Sequence, residues 1–199
     1  MKIAESFLSL VKHASTDLDV ERIREDVRTF ALRHEGLPTR RQALLMVNST
    51  ARRAALVGAA ASAPSGWAAL AATAPELATL IVLQSRMIVG LHLLYGGDLE
   101  PEERMLEIVA GLASGAGLSV GRRLTVRLAE ELATKLAARA LGRSLAHVVP
   151  LLGVAASAAL NYGVVMAVGR AVLARVDRQW GPPHIPGSGP VLDATGQVA

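Results

Sequence analysis

The feature that most constrains this chain is an uncharged, largely apolar run, residues 148–169, bounded by His147 and Arg170. It is about long enough to cross a bilayer, for which about 20 apolar residues suffice. Pro150 near its start suits the first turn of a helix. Gly153, Ser157 and Asn161 recur every four residues, so one side of that helix is small and partly polar. Such a side lets another helix approach closely, and an asparagine in apolar surroundings must find a hydrogen bond. The run therefore predicts a helix buried in a bundle, beside an apolar cavity or membrane-facing surface, rather than a solitary span. The helix predicted over residues 124–136 is its expected neighbour.

The rest of the chain has the same character. Of 199 residues, 51% are hydrophobic but only 3% aromatic, so the apolar content is mostly Ala, Val and Leu. That balance favours helices over strands. Charged residues make up 19%, below the usual quarter, and the mean hydropathy of +0.36 is high for a soluble domain. Disorder is excluded for the body of the chain. The absence of cysteine excludes a disulfide scaffold, a thiolate zinc site, an iron–sulfur cluster and a cysteine nucleophile.

Apolar residues repeat at three and four along most of the sequence. Ile3, Phe7, Leu10 and Val11 mark a first helical segment, and Asp17 or Asp19 can cap the next. Val20, Ile23, Val27, Phe30 and Ala31 form an amphipathic pattern, broken at Gly36-Leu37-Pro38. A third pattern starts near Thr39, a suitable cap, and ends at Pro64-Ser65-Gly66. A short piece, 67–74, leads to an expected helix start at Pro75-Glu76, and that helix stops at Tyr95-Gly96-Gly97. Another opens at Pro101 with acids in its first turn, where the helix dipole favours them. Leu124, Leu128, Leu132 and Leu136 give the clearest repeat, laced by Glu131, Lys135 and Arg139. The fold class predicted is all-α: a compact bundle of about six to eight helices over 1–180, with an irregular Pro/Gly-rich tail over 181–199.

No motif carries a reaction. Gly117-Leu118-Ser119-Val120-Gly121 matches a nucleophile elbow, but that device needs a strand entering a strained turn, and no strand is predicted. Gly115, Gly117 and Gly121 miss the dinucleotide-binding spacing. The five histidines, His13, His34, His92, His147 and His184, lack the clustering a metal site requires. His92 falls in an apolar helix and reads as partly buried and hydrogen-bonded. No catalytic residue, metal ligand or cofactor is predicted.

The net charge is +4 and the isoelectric point about 10.1. Arg40, Arg41, Arg52 and Arg53 occupy a stretch without acids. Arg122, Arg123, Arg127, Lys135, Arg139 and Arg143 outnumber Glu130 and Glu131, and Asp98, Glu100, Glu102, Glu103 and Glu107 form an acidic patch between these zones. Single-strand nucleic-acid binders need aromatic platforms, which this chain lacks, and no basic helix has the look of a reading helix. Nucleic acid is therefore not an expected partner. Arginines flanking apolar helices instead suit an anionic membrane surface, worth about 1 kcal/mol per basic residue near it.

The most informative positions are polar residues set where Leu or Ala would pack more cheaply: Glu76, Gln84, Arg86, Asn161 and Tyr162. A buried polar group left unsatisfied costs about 1–3 kcal/mol. They read either as a network that fixes helix register or as head-group contacts in an apolar pocket.

Pro75-Glu76-Leu77-Ala78, Leu83-Gln84-Ser85-Arg86-Met87-Ile88 and Leu94-Tyr95-Gly96 resemble the core of the EcsC family of bacterial helical proteins. Val149-Pro150-Leu151-Leu152-Gly153, Asn161-Tyr162 and Val168-Gly169-Arg170-Ala171 look like its second block. The likeness covers about residues 70–180. It implies an α-helical, often membrane-associated protein without established catalytic residues, named for a partner of an ABC-type exporter. The short N-terminal region and the Ala-rich composition depart from that family.

The expectation is a non-catalytic helical protein that associates with an anionic membrane or binds a lipid-like ligand, with Glu76, Gln84, Arg86, Tyr95, Asn161 and Tyr162 as contact residues. The alternative is a soluble adaptor or accessory subunit, for example of an ABC-type exporter, acting through self-association or a protein partner. No secretory signal is recognisable around Lys2, Glu5 and Lys12, so the expected location is cytoplasmic, peripheral on the inner face of the membrane.

Overall fold

Asp19 starts the first amphipathic helix by accepting a hydrogen bond from the Arg22 amide at 3.0 Å, the ordinary service of an N-cap. A computed structural model of the chain describes residues 9, 11–13, 16–61, 67–115 and 150–181, and side-chain surroundings throughout these except at 61, 67–75, 115 and 150–153. The described residues form helices and no strand: α1 (Val20–Arg33), α2 (Thr39–Ala61), α3 (Trp67–Leu94), α4 (Pro101–Gly115) and α5 (Pro150–Trp180). The all-α, multi-helix reading holds. The segments 117–121 and 124–136, the break at 64–66 and the tail beyond 181 lie outside the described residues.

Local chemistry explains most boundaries. The corner at Gly36-Leu37-Pro38 is closed by buried Gln42, whose Nε2 donates to the carbonyls of His34 at 3.1 Å and Leu37 at 2.9 Å. Thr39 is the first residue of α2 and not its cap; the Pro38 carbonyl accepts from the amides of Arg41 and Gln42. Gly96 follows α3 with φ +81, a conformation glycine adopts without a Cβ penalty. The Gly97 amide then returns to the His92 carbonyl at 2.9 Å.

One boundary departs from expectation. Pro75 does not start a helix: α3 runs through it from Trp67 to Leu94. Proline removes one amide donor and costs about 3 kcal/mol in a helix interior. The preceding stretch is mostly alanine, the strongest helix former, and keeps the helix intact. At the other end, the charged residues after Gly169 lie within α5, which runs to Trp180.

The core is a seam between α2 and α5. Ala43, Val47, Ala51 and Ala54 are fully buried at helical spacing on α2. Ser157, Asn161, Val165, Val168, Val172 and Val176 form the matching stripe on α5. Two glycines set how closely the axes approach. A Cβ on Gly58 would meet the Asn161 side chain and stand 2.9 Å from the Ser157 carbonyl oxygen; one on Gly169 would strike Val47. These pairings rise in number on α2 as they fall on α5, so the helices are antiparallel. The prediction that the Ser157–Asn161 side admits another helix closely is met by α2.

Helix α3 packs against each of the other four. It contributes Leu80, Ile81, Met87, Ile88 and Leu91 to the core, while α4 adds Ile108, Val109, Leu112 and Ala113. Helix α1 is attached differently. Its buried Ile23 and Val27 meet Val89 in a separate small cluster, edged by Leu18, Met46, Leu93 and Leu94.

Candidate functional site

Of the six expected contact residues, Glu76 and Asn161 are joined directly. Asn161 Nδ2 donates to Glu76 Oε1 at 2.8 Å and to the Ala54 carbonyl at 3.3 Å, tying α5 to α3 and α2. Both side chains are buried. The amide thus satisfies a carboxylate and a backbone carbonyl at the point where Gly58 lets the helices touch.

The remaining four stand apart. Gln84 is buried and its Nε2 donates within α3, to the Leu80 carbonyl at 3.1 Å. The Tyr95 hydroxyl donates to Asp177 Oδ1 at 2.9 Å, and Arg40 Nε lies 3.4 Å from Asp177 Oδ2. Burial, then this bond to Asp177, holds the Tyr95 phenol well above its ordinary range. Tyr162, half-exposed, donates to Asn48 Oδ1 at 2.9 Å. Arg86 Nη2 on α3 meets Asp26 Oδ2 on α1 at 3.0 Å.

A second polar cluster escaped the sequence reading. Arg175 on α5 reaches Glu107 Oε2 on α4 through Nε at 3.2 Å and Nη2 at 3.1 Å, while its Nη1 meets Ser114 Oγ at 3.3 Å. His92 on α3, only 1% exposed, brings Nε2 to 3.6 Å from Glu107 Oε2. That separation exceeds a hydrogen bond, so the hydrogen-bonded reading of His92 is not met. His92 and Arg175 together hold the Glu107 carboxyl below its ordinary range, against the opposing effect of partial burial. The signal in the sequence was positional: Arg175 stands between Val172 and Val176, where an unpaired charge would be costly.

An open groove of about 800 Å³ lies between α1, α2 and α3. That size falls within the range of small-molecule sites, about 300–1,000 Å³. Its apolar lining includes Ile23, Val27, Met46, Val82, Leu83 and Met87. Its charged lining is Asp26, Arg33, Arg53 and Arg86. Arg86 alone of the six expected residues borders it. Arg53 belongs to the acid-free stretch noted in the sequence, whereas Arg33 comes from α1 and the apolar lining from all three helices, and they meet only through the fold.

Helices α3 and α5 each contain a stretch long and apolar enough to cross a membrane, Glu76–Leu94 and Val154–Trp180. About half of the first and two-fifths of the second are buried within the bundle. No family model matches the sequence, and no curated protein or solved structure is significantly similar to it. The resemblance to EcsC proteins therefore rests on the residues that carry it.

Proposed function

We propose that this protein is a non-catalytic, EcsC-like helical protein that binds a lipid-like ligand and works at an anionic membrane surface. The observation that carries the reading is the α1–α2–α3 groove, which joins an apolar lining to arginines from all three helices. An acyl chain is held by burying its surface, at about 25 cal/mol per Å² of apolar area removed from water. The arginines at the same groove suit an anionic group, because their planar forks match carboxylate and phosphate oxygens. The excess of basic residues supports association with anionic lipid in the same sense.

In this reading Glu76, Asn161, Tyr95 and Tyr162 hold helices in register, Gln84 bonds within α3, and Arg86 borders the ligand. The test is to purify the protein without detergent, identify co-purified lipid by mass spectrometry, and float the protein with anionic liposomes. Lipid in the preparation, or flotation that depends on anionic lipid, is expected. A protein that is soluble, ignores liposomes and carries no lipid would be an adaptor or accessory subunit instead.

A further inference from the structure

Resting on that reading, we infer that the groove takes a monomeric anionic amphiphile, whose carboxylate or phosphate is held by Arg33 and Arg53. The argument begins with charge. Three guanidinium groups and one carboxylate line the groove, and that carboxylate, Asp26, is engaged by Arg86 at 3.0 Å. Among the described residues neither Arg33 nor Arg53 has a carboxylate within ion-pair distance. No acid on α2 can neutralise Arg53, because the helix contains none. An apolar groove with two uncompensated cations is complementary to an apolar ligand with a negative end.

The surroundings fit such a head group. Ser49 and Thr50 also border the groove and bring hydroxyl groups to it. Of these, Thr50 already donates to the Met46 carbonyl at 3.0 Å. The apolar lining includes Met46 and Met87, whose flexible thioethers conform to chains of varied shape. Val82, 40% exposed, leaves apolar surface for a chain to cover. Helix α1 is anchored through the small Ile23–Val27–Val89 cluster and the exposed pairs Arg24–Asp98 and Asp26–Arg86.

Dodecyl phosphate, dodecanoate and dodecyl maltoside, each below its micellar concentration, separate the contributions by calorimetric titration of the full chain. The two anions are expected to bind at least tenfold more tightly than the maltoside, and more weakly as salt rises. Arg53→Gln and Arg33→Gln should each weaken dodecyl phosphate about tenfold. Arg52→Gln, an exposed neighbour on α2 that does not line the groove, should change it less than twofold. Circular dichroism would verify that each variant keeps its helicity.

Equal binding of the maltoside and the anions would overturn the charge selection while leaving lipid binding intact. Equal losses in Arg52→Gln and Arg53→Gln would overturn the assigned site. Inorganic phosphate should give no saturable heat; binding as tight as that of dodecyl phosphate would overturn the amphiphile assignment. Arginine-dependent binding to phosphatidylglycerol vesicles without binding of any monomer would overturn the monomeric ligand. No binding of any probe, monomer or vesicle, would overturn the proposed function as well.

Discussion

The α2–α5 seam and the α1–α2–α3 groove share one helix but use it in opposite ways. Facing α5, α2 presents Ala43, Val47, Ala51, Ala54 and Gly58, and the partner stripe supplies valines and Asn161, leaving no room for anything else. Facing the groove, the same helix presents Met46, Ser49, Thr50 and Arg53, and α1 stands off across a cavity. Small residues bring backbones together and trade side-chain flexibility for packing density. Longer, polar-tipped residues hold helices apart and keep solvent access. One face of α2 accordingly stabilises the fold, while its other face lines an open groove.

The sharpest way to break this contrast is to place a large side chain in the seam. Gly58→Leu should lower unfolding free energy by about 3 kcal/mol or more, at the upper end for overpacking, because its Cβ alone would meet Asn161 and the Ser157 carbonyl. Urea denaturation reads it directly. A change below about 1 kcal/mol would mean that the two helices are not in close contact there.

Asn161→Leu should cost about 1–3 kcal/mol, since Glu76 and the Ala54 carbonyl each lose a donor in a buried setting. A neutral result would place Asn161 in water or in a ligand cavity. The α4–α5 ion pair sharpens the comparison through pH. The Glu107 carboxyl is held below its ordinary value of 4.5 in the fold by His92 and Arg175 together. Its stabilising contribution is present above that value and is lost as pH falls through the lowered folded value. Melting temperature measured against pH should show wild type and Glu107→Gln converging in acid and separating near neutrality. Parallel curves would remove Glu107 from the stability of this corner.

The smallest effect belongs to the groove side. Asp26→Asn breaks a partly exposed pair with Arg86 and should cost under about 1 kcal/mol in thermal or urea unfolding. A loss of 3 kcal/mol would show α1 to be part of the main core.

Helix type and most helix boundaries were legible because period and capping are local properties. Asp19, the Gly36–Pro38 corner and the Gly96–Gly97 stop all act on their own neighbours. Pro75 misled because a strong local signal competes with a long alanine-rich helix, and its cost is small beside what a long helix gains by packing. Asn161 was recognisable as a buried polar residue with a partner, but neither Glu76 nor Ala54 could be assigned to it from spacing. The seam on α2 was the least visible: alanines and a glycine carry weak hydropathy, and their importance appears only when a second helix is laid against them. Arg33 and Arg53 come together with the apolar lining only through tertiary packing, so of the groove the sequence could supply only Arg86 and the acid-free stretch that holds Arg53.

Hydrogen–deuterium exchange of the full chain, read by mass spectrometry with and without dodecyl phosphate, tests the division between seam and groove most directly. Slowest exchange is expected in α2 and in the α5 stripe from Ser157 to Val176, and much faster exchange in α1. Added dodecyl phosphate should protect α1 and the groove-lining part of α3 around Val82 to Met87, leaving α5 unchanged. An α1 as protected as the seam without ligand, or protection by ligand that falls on α5, would contradict the account.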